Sequence, residues 1–176
     1  NKNYQTEIAE LITVFNEARA YDNANNTEQN IRHEAMGGLW SGTKTLFIHA
    51  NYVKDIENAV LFARQMEVKK IVLVGGYDSW MLTDMLKENN VAVMLRRVHD
   101  LPQRPEDDID LPYKLPYLLQ KEGVLFCLQN AGDMEAMNAR NIPFLAGTAV
   151  AYGLTKEEAL QAITGNAAKI LGIGSF

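Results

Sequence analysis

Four short apolar runs dominate the second half of the chain: LFIHA at 46–50, KIVLVGG at 70–76, VAVMLR at 91–96 and VLFCLQ at 124–129. Each is continuously apolar rather than alternating, the pattern of a strand buried on both faces, as in a parallel sheet. The segments between them are amphipathic. Val53, Ile56, Val60, Ala63 and Met66 share one helix face. Ser79 can cap a helix over 80–88 that stops at Asn89 and Asn90, and a shorter helix runs from Pro116 to Lys121 before Gly123. Strand and helix therefore alternate, the signature of an α/β fold of parallel βα units.

Helical segments flank these units. Tyr4, Ile8, Leu11, Ile12, Phe15 and Ala18 repeat at helical spacing within 4–21. An Asn-rich stretch, 22–31, reads as a loop, followed by a short helix within 30–40. The tail is helical. A segment over 144–152 ends at Gly153, Thr155 and Glu158 form a capping box for 156–164, and Asn166 caps 167–171. Residues 101–117 hold four of the five prolines and four acidic residues. They read as a long loop over the carboxyl end of the third strand, where α/β folds carry ligands.

Composition narrows the function classes. Seventeen basic and 22 acidic residues give a net charge of −5, with no basic stripe, so no nucleic-acid partner is expected. No apolar run reaches the ~18–20 residues of a membrane span, so no membrane partner is expected either. Cys127 is the one cysteine, which excludes an intrachain disulfide, and its place within an apolar run suits a buried thiol.

Candidate chemistry lies at the carboxyl ends of the strands. His49 closes the first. It can ligate a metal through a neutral imidazole, or be a partly buried histidine satisfied by one backbone hydrogen bond. Gly75 and Gly76 close the second, suited to a tight turn or to close approach of a ligand. Arg96, Arg97, His99 and Asp100 follow the third, where they can hold an anion or open a solvated loop. Asp133 follows the fourth as a carboxylate base, and Arg140 with Asn141 can brace the mouth of the site or cap a helix. No Gly-x-Ser-x-Gly, Cys-x-x-Cys, His-x-His or His-Glu-x-x-His is present.

The stretch RNIPFLAGTAVAYGLTKEEALQAITGNAAKILGI, from Arg140 onward, resembles the closing segment of the metal-dependent amidohydrolase superfamily, in its imidazolonepropionase-like branch. LFIHA followed by KDIENAVLFA is similar to the region of that family's fifth barrel strand, and LVGGYDSWMLTDML to its sixth. The resemblance implies that the four strands are the fifth to eighth of a (β/α)₈ barrel. Residues 1–176 would then be a single partial-barrel domain, with the first barrel half and the family's β-sandwich outside it. It implies hydrolysis of amide or cyclic-amide C–N bonds of a small-molecule substrate by water activated at a divalent metal, zinc in many relatives.

Carried over residue by residue, His49 matches the fifth-strand metal ligand, the sixth-strand histidine is replaced near Gly75, and Asp133 lies about two positions beyond the eighth-strand aspartate. Asp133 is the catalytic candidate, and His99, Arg140 and Asn141 are substrate-binding candidates. A lone half is expected to be inactive and, with two open sheet edges, to self-associate. Two alternatives stand beside this reading. One is an amidohydrolase homologue that has abandoned chemistry for a binding or structural role. The other is a small doubly wound domain binding a ligand at Gly75-Gly76. The cytoplasm suits a chain with one buried cysteine, and a periplasmic or extracellular site would require a removed signal peptide.

Overall fold

A computed structural model describes residues 2–24, 29–131 and 135–174. The elements run α1 (Lys2–Asp22), α2 (Ile31–Met36), β1 (Leu46–Ala50), α3 (Val53–Gln65), β2 (Ile71–Gly75), α4 (Thr83–Glu88), β3 (Ala92–Leu95), α5 (Leu111–Lys121), β4 (Phe126–Leu128), α6 (Glu135–Asn138), α7 (Ile142–Ala151), α8 (Lys156–Ile163) and α9 (Gly165–Leu171). The four apolar runs are the four strands, and they form one parallel sheet in the order β1-β2-β3-β4. A doubly wound sheet reverses its strand order at a switch point, and this one does not. Consecutive parallel βα units are the topology of half a (β/α)₈ barrel.

The chain divides into two compact units: residues 1–46 with 61–71, and residues 47–60 with 72–176. In the first, α1 is anchored by its second half, where Phe15 and Ala18 are buried. The Phe15 ring meets Phe62 edge-on at 5.1 Å, and Arg19 pairs with Glu67 at 2.7 Å. Tyr4, Leu11 and Val14 remain exposed. Asn30 caps α2, its side chain accepting from the Arg32 and His33 amides. Trp40 packs with its indole N–H donating to the Met66 carbonyl at 2.9 Å.

In the second unit, Val72 pairs with Ala92 and Met94 with Cys127 across the ladder. One face of the sheet carries Leu73, Val93, Leu95, Phe126 and Leu128, all buried. On the other face Val72, Ala92 and Cys127 pack against Ile170 of α9, with Met94, Leu125 and Ala167 at the margin. The capping box is present: the Thr155 hydroxyl accepts from the Glu158 amide at 3.1 Å, and the Glu158 carboxylate accepts from the Thr155 amide at 2.8 Å.

Three local expectations are corrected. The helix before β4 starts at Leu111, not Pro116. Pro112 sits in the first turn, where a missing N–H costs nothing, and Leu111, Leu115 and Leu119 bury one stripe that tolerates Pro116 inside the helix. The preceding loop is thereby shortened to 101–110. Ser79 does not cap a helix over 80–88; its hydroxyl turns back to the Gly76 carbonyl at 2.6 Å, and a short 3₁₀ turn (Ser79–Met81) precedes α4. Asn166 lies within α9 rather than capping it, and its side-chain N–H donates to the Phe126 carbonyl at 2.9 Å. Among the described residues, no helix is long and apolar enough to cross a membrane.

Candidate functional site

At the carboxyl ends of the strands lies a cleft of about 260 Å³, lined by His49, Asn51, Val74, Gly75, Arg96, Gln129 and Ala131. β1 and β2 contribute residues of their own, and β3 and β4 the residues that follow them. His49 is the penultimate residue of β1 and is exposed. Arg96 follows β3, and its amide extends the ladder by donating to the Gly75 carbonyl at 2.9 Å. Gln129 follows β4 in the same way, its amide donating to the Leu95 carbonyl at 3.3 Å. The Gln129 side-chain N–H donates to the Met94 carbonyl at 2.7 Å, which ties the side chain to the sheet. The Arg96 guanidinium pairs with Asp100 at 2.6 Å, both side chains about one-quarter exposed.

The glycine pair shapes this end of β2. Gly75 has φ +106°, and a Cβ there would stand 2.5 Å from the Asn51 side-chain oxygen and 3.1 Å from the Ala50 carbonyl. Glycine is therefore what lets Asn51 lie against the strand end. The Gly76 amide donates to the Ala50 carbonyl at 2.8 Å, and the Asp78 amide to the Asn51 carbonyl at 2.8 Å.

Behind the cleft is a polar network that the residue pattern gives no hint of. The carboxylate of Asp78, fully buried, accepts from the Val53 amide at 3.1 Å and pairs with Arg104. Arg104 also reaches Asp107 at 3.4 Å and stands over the rings of Tyr52 and Tyr77, 5.4 and 5.8 Å from their centroids. The buried Tyr77 hydroxyl donates to Asp107 at 2.7 Å and accepts from the Gln103 amide at 3.1 Å. Burial pushes the Tyr77 phenol up, so it remains a donor. These bonds clasp the 101–110 loop to the turns after β1 and β2.

The remaining sequence candidates go elsewhere. His99 is exposed and shares a 2.6 Å hydrogen bond with the Thr148 hydroxyl. Its ring lies 6.2 Å from Tyr113, which stacks on Tyr152 at 5.4 Å. Arg140 and Asn141 form a 3₁₀ turn before α7, and the Asn141 side-chain N–H donates to Asn138 at 3.4 Å. None of these three lines the cleft. Asp133 lies outside the described residues. Cys127 is buried beneath the cleft, and burial pushes its thiol up to about 11, which suits packing rather than nucleophilic attack.

A catalytic zinc takes three protein ligands and keeps one position for water. The cleft supplies one imidazole, two amide side chains and the cation of Arg96. Among the described residues, no group of three or more His, Cys, Asp or Glu side chains is placed to hold a metal ion. The described residues therefore do not by themselves fit the metal that the resemblance implies.

No family model and no curated protein matches the chain. Among solved structures, it is similar to an amidohydrolase from Thermotoga maritima MSB8, with a TM-score of 0.72 and 23% identity. The match covers 98% of this chain and 44% of that one, so the chain spans less than half the length of the protein it resembles. At that identity, the likeness shows a shared fold.

Proposed function

We propose that the chain is the carboxyl-side half of an amidohydrolase-like barrel. Its cleft forms one wall of a binding site for a small molecule bearing an amide or cyclic amide. Hydrolysis of the C–N bond belongs to the completed barrel, and the divalent metal, zinc by the family's habit, to a ligand set that His49 joins. One observation carries this reading: a fold likeness to an amidohydrolase over 98% of the chain, in which the strand ends converge on a polar cleft, the place where such barrels do chemistry. Alone, the chain binds without turning over. Its two open sheet edges, β1 and β4, pair with a second copy, because unpaired strand edges recruit other strands.

The test is made on the longest natural protein that carries this sequence. Metal content and amide hydrolysis are measured together, with and without His49→Ala. The reading expects both to fall in the variant; hydrolysis that survives it overturns the assignment of His49.

A second reading is a barrel kept for binding, with chemistry abandoned. It is favoured by Val74 and Gly75 at the end of β2, where the family's histidine is missing, and by the guanidinium of Arg96 in the cleft, since a fixed cation opposes a metal. A metal-free longer protein that binds lactams without cleaving them would establish this second reading and remove the first.

A further inference from the structure

We infer that residues 101–110 form a strap that opens from the body in one piece, latched at Tyr77 and Asp78 beside the cleft. This property does not depend on what the cleft binds.

Val98 and Leu111, at the two ends of the stretch, are buried, while none of the residues 99–110 between them is. Leu101 and Ile109 are 71% and 74% exposed, so the strap gains little hold from apolar burial. Beyond its own flanks, no backbone–backbone hydrogen bond joins the strap to the other described residues. The hydrogen bonds and ion pairs that do cross to them end on two adjacent residues. The Gln103 amide donates to the Tyr77 hydroxyl, which donates in turn to the Asp107 carboxylate. The Arg104 guanidinium pairs with the Asp78 carboxylate.

The strap is stiff in itself. Pro102 and Pro105 fix parts of its backbone. At its tip the Asp107 amide donates to the Arg104 carbonyl, and the Arg104 amide to the Asp107 carboxylate, both at 3.2 Å. These bonds lie within the strap and survive its release, so the segment swings rather than frays.

The latch is incomplete when shut. Asp78 is fully buried, yet one of its carboxylate oxygens has no donor among the described residues. Opening brings water to that oxygen and offsets part of the lost ion pair, so the shut state is favoured less than a fully paired latch would make it. The latch also bears on the cleft. The Asp78 amide donates to the carbonyl of Asn51, a cleft residue, and its carboxylate accepts from the Val53 amide. Opening therefore uncovers a carboxylate bound to the turn that carries one wall of the cleft.

The test follows hydrogen exchange by NMR in the full chain, each latch point being broken in turn and read at the other. Arg104→Gln removes the cation from Asp78 and is read at the Gln103 amide. Tyr77→Phe removes the hydroxyl and is read at the Arg104 guanidinium N–H signals. Each signal is expected to exchange at least about fivefold faster, the scale of one net hydrogen bond. The exchange is also expected to stay insensitive to low urea, because a strap exposes little surface on opening, whereas exchange of the Val93 amide in the ladder rises with urea. A smaller change at the opposite latch point means that the two contacts open separately, and it overturns the strap. So does Gln103 exchange that rises with urea in step with Val93 in the unaltered chain, a reading that needs no variant to fold.

Discussion

The same strands are built to opposite purposes along their length. On β4, Cys127 packs into an apolar cluster, while Gln129, two residues on and by strand alternation on the same face, lines the polar cleft. On β2, Val72 belongs to the cluster and Val74 to the cleft. The cluster is sealed by Ile170 of α9; the cleft is left open, with His49 exposed at its rim. This face of the sheet is therefore covered at one end by the chain's own last helix and open as a polar cleft at the other. Apolar cluster and polar cleft are separated here by about one strand repeat.

Substitutions at the two ends should differ in cost. Ile170→Ala is expected to cost about 2–5 kcal/mol, the range for truncating a buried aliphatic side chain. His49→Ala is expected to stay within about 0.5 kcal/mol, as for exposed positions without structural partners. Chemical denaturation of the two variants beside the parent chain decides it. Equal losses would mean that the two ends contribute alike to stability.

The buried network behind the cleft should rank second. Asp78→Ala removes a charge-assisted bond to Arg104 and an acceptor for the Val53 amide. The expected loss is about 1.5–3 kcal/mol, smaller than for a fully buried ion pair because Arg104 is part-exposed and keeps Asp107. Hydrogen exchange should show the turn after β1 and the 101–110 loop opening together. If only the loop opens, the Asp78 carboxylate does not tie the loop to the turn after β1.

Cys127 reports on the sealed end directly. Its thiol is lifted from an ordinary 9.0 to about 11 by burial, so near neutral pH the thiolate is about a hundredfold scarcer than for a free cysteine. A raised folded value means that the stability linked to this group is complete below about 9 and lost as pH rises through about 11. Labelling with Ellman's reagent at pH 8 should follow unfolding alone; fast labelling would show the cluster to be open.

The smallest effect expected is at Glu158. Its carboxyl lies below the ordinary value because it accepts from the Thr155 amide and hydroxyl. A lowered folded value adds stability that is present above the unfolded value near 4.5 and lost as pH falls through the folded one. Glu158→Gln should flatten the acid limb of the stability profile and change little at pH 7.

How much could be read beforehand varies by element. The run KIVLVGG at 70–76 marks β2, seen at Ile71–Gly75, because continuous apolarity and a closing glycine pair are local properties. Thr155 and Glu158 marked α8 because both partners of a capping box lie within one turn. Pro116 misled, since a proline reads as a breaker unless the buried stripe of Leu111, Leu115 and Leu119 is known to outweigh it. His49 was legible as a residue closing an apolar strand. Asn51 was not, because its place in the cleft depends on Gly75 of another strand. Asp78 and Arg104 lie 26 residues apart, in segments with no shared periodicity.

Local order along this chain determined what each segment becomes: apolar runs that must be buried on both faces, amphipathic segments that must cover them, and caps that end them. Tertiary structure decided which residues meet. The strand order without reversal, the union of His49, Asn51, Arg96 and Gln129 in one cleft, and the assignment of His99 to an aromatic corner instead all follow from it. Burial and periodicity are written residue by residue, whereas convergence at strand ends is set by register and by the crossovers that bring distant segments side by side.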